Sequence, residues 1–163
     1  MKGLAKKIVT ILFAALLIIP TFVAWISATM KMAGVSETEG MLLSDIDEFA
    51  VEMLKSGEML NLSKIFFWVT FGIAMLLILL VVLQMIAPKV AVLNTLVKIT
   101  GIALLVSAIA TFVFATIFCI ANSESQSFGA YSMSVTYYPL WGSAITLLGG
   151  LVAGLCALCG KKK

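Results

Sequence analysis

Four stretches of the chain run apolar with no charged residue inside them, and the polar residues collect between. Residues 8–28, 65–87, 99–121 and 140–159 each supply the roughly 20 residues a helix needs to cross a hydrocarbon layer about 30 Å thick. Backbone groups in lipid must be bonded within the segment or around a closed barrel. These runs do not alternate as barrel strands do, so helices are expected. The fold class follows: an all-α membrane protein, a single four-transmembrane-helix bundle over residues 1–163, with loops at 29–64 and 122–139 on one side.

The first stretch has a rival reading. Lys2, Lys6 and Lys7 before an apolar run that ends in Ile26-Ser27-Ala28 also fit a cleavable signal peptide. The run is longer than such a core, and its twelve Leu, Ile, Phe and Val residues favour insertion by about 4–7 kcal/mol at mid-bilayer values. A retained span is the expectation. Pro20 should kink it and free a carbonyl for a neighbouring group to satisfy.

In the first loop, Ser44-Asp45-Ile46-Asp47 reads as a helix N-cap followed by acids in the first turn, and Ser56-Gly57 as a stop. A short amphipathic helix is expected there, with Ile46, Phe49, Met53 and Leu54 on one face. That face suits packing on the protein's own spans or contact with a partner. Its acidic remainder argues against adhesion to anionic lipid. Asn61-Leu62-Ser63 matches a glycosylation sequon, but it abuts the second span. The second loop, Ser-rich with Tyr137 and Tyr138 before Pro139, reads as a short ordered connector.

Charge then orients the spans. Lys2, Lys6, Lys7, Lys89, Lys98, Lys161, Lys162 and Lys163 fall on one side, and all eight acids fall on the other with Lys31, Lys55 and Lys64. The lysine-rich side is expected in the cytoplasm, with both termini, as in a multi-pass protein of the cell membrane. Trp25, Phe66, Phe67, Trp68, Tyr131, Tyr137, Tyr138 and Trp141 gather toward the opposite ends, where ring side chains favour the headgroup level. All eleven cations are lysines, so no guanidinium is present for bidentate phosphate or base recognition, and nucleic acid is not an expected partner.

Little in the chain points to chemistry. There is no histidine, and the spans carry no acid or lysine of the kind that marks ion or proton paths. Gln84 suits a helix–helix hydrogen bond better than a site. No catalytic, metal or cofactor residue is expected. Cys156-Ala157-Leu158-Cys159 has dithiol spacing, but it falls at the end where thiols stay reduced. It fits small residues in a helix contact, or acylation of Cys156 and Cys159 beside the membrane, better than redox catalysis.

Helix packing gives the clearest pattern. Ala103, Ser107, Thr111, Ala115 and Cys119 recur every four residues, as do Gly142, Thr146, Gly150 and Gly154, and small residues at that spacing let backbones approach. The contact served is expected within the chain or with another subunit. The second span, bulky from Phe66 to Met85, is expected to face lipid or a partner helix over much of its girth.

The layout resembles the tetraspan superfamily of claudins and peripheral-myelin-type proteins. The points of likeness are a long first outer loop, a shorter second one, Ile99-Thr100-Gly101 opening the third span, and a fourth span of small residues ending in cysteines and a lysine tail. The resemblance implies the four-span architecture with cytoplasmic ends. It carries over no functional residue, because that family's first loop bears Trp-x-x-Trp and a cysteine pair on a sheet. Residues 29–64 hold no tryptophan or cysteine and read as helical.

The expected function is non-enzymatic: an accessory, assembly or structural subunit of a membrane complex. Its partners would be the lipid bilayer and other membrane proteins or further copies of itself. A small-solute or lipid translocation component is the alternative, and a membrane thiol oxidoreductase a third.

Overall fold

The computed structural model describes residues 2–32, 35–45, 57–128 and 131–159. Helix α1 (Lys2–Ala15) does not run to the end of the first apolar stretch. Pro20 lacks an N–H and its ring crowds the carbonyl four residues back, and the chain tightens into a 3-10 helix over Leu16–Thr21. Phe22 N–H donates to Ile19 O at 2.9 Å and Thr21 Oγ1 to Ile18 O at 2.6 Å, closing that end locally. The expected boundary at residue 28 is therefore corrected: Ile26 to Ala28 belong to a strand.

Helices α2 (Gly57–Ile86), α3 (Ala91–Asn122) and α4 (Trp141–Leu158) follow. Two of them start well before their apolar cores, because Glu58, Asn61 and Lys64 on α2 and Asn94 and Lys98 on α3 form ordinary helical turns. With α1 and its 3-10 extension counted together, four helices are long and apolar enough to cross a membrane. They pack in a ring, α1 on α2, α2 on α3, α3 on α4 and α4 on α1, while the diagonal pair α2 and α4 barely meet. At the lysine-bearing end Lys7 Nζ donates to Gln84 O at 3.1 Å, placing a cation on a carbonyl of the last turn of α2. Gln84 Nε2 in turn donates to Asn94 Oδ1 at 3.3 Å, a helix–helix bond.

The inner seam of α2 is regular. Leu60, Ser63, Phe67, Thr70, Ala74, Leu77 and Val81 are buried at alternating steps of three and four, the 3.5-residue repeat of helices packed side by side. Ile65, Trp68, Val69, Leu76, Leu79 and Leu83 on its other faces are exposed. The apolar seam is thus a narrow stripe on a helix that is greasy all round.

Between α3 and α4 the backbones come closer. A Cβ on Gly150 would collide with Ala108 Cβ, one on Gly101 would lie 2.6 Å from Ala157 Cβ, and one on Gly154 would lie 2.7 Å from Gly101 O. The four-residue row expected on α3 is therefore only partly the surface that α4 meets. Ser107, Thr111 and Ala115 are buried and Ala103 is half-buried, but Gly101, Leu105 and Ala108 make the close approach. Thr111 instead meets α2, receiving Ser63 Oγ on its carbonyl at 2.8 Å and lying 3.3 Å from the Thr70 hydroxyl.

Both loops contribute strands, so the all-α description is corrected. β1 (Ile26–Met32), β2 (Val35–Met41), β3 (Glu124–Phe128) and β4 (Tyr131–Pro139) form an antiparallel sheet in the order β2-β1-β4-β3. The second loop is thus a hairpin rather than a connector. Its long strand pairs with β1 along the whole of β1, from Ile26↔Pro139 to Met32↔Met133. After β2 a 3-10 turn spans Leu43–Asp45. The rest of the helix expected there, with Ile46, Phe49, Met53 and Leu54, lies outside the described residues.

The α3–α4 approach should be sensitive to a single methyl group. Gly150→Ala is expected to destabilise the bundle by about 1–3 kcal/mol, read as a lower melting temperature in detergent. Gly72→Ala, which opens onto empty space, should leave it unchanged or raise it, since alanine is the better helix former.

Candidate functional site

The sheet is joined to the helices through Trp25, which sits between the first helical segment and β1. It lies at the end of the helices where it was expected, with its side chain fully buried in the protein. The indole Nε1–H donates to Pro20 O at 2.8 Å, so a carbonyl at the end of the 3-10 segment is satisfied by a side chain a few residues on. The ring meets Phe67 edge-on at 5.0 Å between centroids. Gly142 makes room for it, because a Cβ there would lie 2.7 Å from the indole Cδ1. That is the packing role of Gly142, whereas Thr146 is buried with its hydroxyl on Gly142 O.

Backbone bonds on both sides of Trp25 complete the junction. Trp25 N–H donates to Met41 O, Leu140 N–H to Trp25 O and Gly142 N–H to Ala24 O, at 2.8, 2.8 and 3.0 Å. On the α3 side, Ser123 Oγ donates to Cys119 O and accepts Tyr137 N–H, while the Tyr137 ring stands edge-on to Phe118 at 5.7 Å. Trp25, Ile26, Leu43, Leu60, Phe67, Phe118 and Cys119 form one buried cluster, with Met41 and Tyr137 packed against it.

Register then divides the sheet into two unlike faces. One face carries Ile26, Ala28, Met30 and Met32 on β1, opposite Met41, Glu39, Glu37 and Val35 on β2 and Pro139, Tyr137 and Val135 on β4. The other carries Ser27, Thr29 and Lys31 against Gly40, Thr38 and Ser36, and against Tyr138, Thr136 and Ser134. On this polar face Thr29 and Thr38 meet hydroxyl to hydroxyl at 3.1 Å. The root of the apolar face is covered by the bundle, but its tip is not: Met30, Met32 and Val35 are 45%, 58% and 64% exposed. Between root and tip lies a shallow cavity of about 240 Å³ lined by Ile26, Ala28, Glu39, Gly40, Met41 and Tyr137.

At the far end of α4 the cysteines are free thiols, Cys156 half-buried and Cys159 exposed, and Cys119 is buried near the sheet. Among the described residues no group of histidine, cysteine and acidic side chains is placed to hold a metal ion. The geometry thus gathers apolar contact surface and a few carboxylates at one end of the molecule. Sequence reasoning missed this surface, although Ile-Ser-Ala-Thr-Met-Lys-Met and Ser-Met-Ser-Val-Thr-Tyr alternate with period two.

No protein-family model matches the sequence, and no curated protein matches it significantly.

If Trp25 locks the junction, Trp25→Phe, which keeps the ring but loses the N–H, should cost about 1–3 kcal/mol. Trp25→Ala, which also leaves a void against Phe67, should cost about 3–5 kcal/mol. Equilibrium unfolding in mixed detergent micelles measures both, and a loss near zero for Trp25→Phe would show that the hydrogen bond contributes little.

Proposed function

We propose that the chain is a four-span protein of the cell membrane, with its lysine-bearing ends in the cytoplasm and its sheet outside. It acts by contact, as an accessory, assembly or structural subunit of a membrane complex, rather than by catalysis. The observation that carries this reading is the half-covered sheet. One end of an apolar face is anchored on the bundle while Met30, Met32 and Val35 stand exposed at the other. Exposed apolar surface above a rigid anchor suits a partner surface.

The insertion itself is supported by the exposed faces of all four helices. Ile65, Leu79, Ile99, Val106, Ile120 and Leu148 are among the large apolar side chains left open there, which lipid tolerates and water does not. Buried hydroxyls meet the demand lipid makes on polar groups: Thr10, Thr70, Thr111 and Thr146 each donate to the carbonyl four residues back, and no buried side-chain polar atom among the described residues lacks a partner. The resemblance to the claudin and peripheral-myelin type superfamily also draws support from the sheet, since the first loop pairs as β1 and β2 rather than as helix alone. The Trp-x-x-Trp and cysteine pair of that superfamily's first loop are still absent, so none of its residue roles is carried over.

Orientation and partnership are tested separately. In intact cells, Thr38→Cys on the exposed β2 should react with a membrane-impermeant maleimide, while the native Cys159 reacts only after permeabilisation. The reverse order would overturn the topology. Native extraction in mild detergent should yield a stoichiometric partner protein. A protein that travels only alone or as copies of itself would remove the subunit reading.

A further inference from the structure

Resting on that contact reading, we infer that the outer edge of β2 takes an added strand from a partner protein, an extended segment bearing lysine or arginine at alternate positions. β2 ends the sheet order: it pairs with β1 on one side, and among the described residues no strand pairs with it on the other. Six of its seven residues, Val35 to Gly40, are exposed. An open edge presents a row of backbone N–H and C=O groups, and proteins usually guard such rows with charged side chains, lysine above all, or with proline or a bulge. The charges on β2 are Glu37 and Glu39, which repel an acidic or identical strand and admit a basic one. β2 contains no lysine and no proline, and its pairing with β1 runs Ile26↔Met41 to Met32↔Val35 without a break.

What β2 does carry selects its occupant. Glu37 and Glu39 are two residues apart on the apolar face, both exposed, and among the described residues neither makes an ion pair or a side-chain hydrogen bond. Neighbouring β1 offers them Met30 and Ala28, and Lys31 lies on the opposite face across from Ser36. A second copy is a poor occupant. Two β2 strands paired about Thr38 would set Glu37 against Glu39, and a shift of one residue pair either way sets an acid against itself. Like charges directly opposite are unfavourable in a sheet. A strand with cations at two alternate positions reverses both interactions. Its intervening side chains would fall beside Ser36, Thr38 and Gly40 on the polar face, and its backbone would complete the ladder.

The test uses the full-length protein in nanodiscs of zwitterionic lipid and two synthetic peptides of identical composition. One alternates lysine with threonine and valine; the other has its lysines consecutive, which destroys the alternation. The alternating peptide should bind more tightly and slow amide exchange across 35–41 about tenfold. Glu37→Lys with Glu39→Lys, on an exposed strand that should fold unchanged, should weaken that binding about tenfold or more and favour an alternating glutamate peptide instead. Equal binding of both lysine peptides, retained binding by the reversed variant, or unchanged exchange over 35–41 would each overturn the inference. A native partner that still co-purifies with the reversed variant would leave the subunit reading standing and remove only the β2 edge as its docking site.

Discussion

The buried indole of Trp25 holds the two halves of this molecule together. Four apolar helices and a small sheet have no shared core unless something at the junction belongs to both, and Trp25 touches the end of the first helical segment, α2, α4 and β2 at once. Its hydrogen bond to Pro20 O uses a carbonyl at the tightened end of that segment, its ring needs the missing side chain of Gly142, and its own backbone groups bind Met41 and Leu140. Moving the indole to the membrane surface, as an aromatic belt residue, would open the root of the sheet. Burial is tolerated because the indole N–H and both backbone groups of Trp25 are hydrogen-bonded, which a low-dielectric surrounding makes more important.

The helices were legible because length and hydropathy alone mark a run able to cross a membrane, and the chain has four such helices among its described residues. Their ends were less legible: Glu58, Asn61 and Lys64 look like loop residues to a hydropathy argument, yet they continue α2 beyond the apolar core. The sheet was hidden for a related reason. Ile26 and Ala28 are apolar and follow an apolar run without a break, so they were absorbed into a helix that Pro20 had already ended. β1 has one partner close by, β2, with two residues between them, but its other partner, β4, is more than a hundred residues away, and pairing at that distance leaves no local signal except alternation. Small residues on α4 were expected at a close contact within the chain or with another subunit, and Gly150 and Gly154 lie against α3. Gly142 accommodates an indole from outside the helices, and on α3 the close approach falls to Gly101 and Ala108, off the expected row.

In the membrane proposed above, lipid gives no net reward for bringing greasy helices together, so the arrangement would be specified by close packing and by a few polar contacts. α4 uses the first device: with Gly150, Gly154 and Ala157 on α3, dispersion contacts extend to the backbone. α2 uses both, and its seam shows why the second is needed. A repeat of three and four is nearly the same after seven residues, a slide of about 10 Å along the axis, and Leu60, Phe67, Leu77 and Val81 alone would distinguish the two positions poorly.

Ser63 breaks that degeneracy. Its hydroxyl donates across the interface to Thr111 O at 2.8 Å, and Thr70 stands 3.3 Å from the Thr111 hydroxyl, so both contacts converge on one residue of α3. One heptad of slip one way would put Thr70 where Ser63 now reaches Thr111 O but Leu77 where Thr70 now stands, losing the hydroxyl contact; a slip the other way would carry the place of Ser63 beyond the start of α2 at Gly57. The Ser63 bond is worth little by itself, about 0.6 kcal/mol for an average bond of this kind in a membrane, and Thr70 and Thr111, whose protons go to their own helices, add only packing, but register requires only a difference between neighbouring alternatives. The same level of the bundle is where the apolar cluster around Leu77 and Leu104 gives way to the cluster around Trp25 and Phe118. Fixing α2 against α3 there also fixes the height at which Leu60 and Phe67 meet Trp25. The hydroxyl contacts in the middle of the helices thereby help set the position of the sheet at their end.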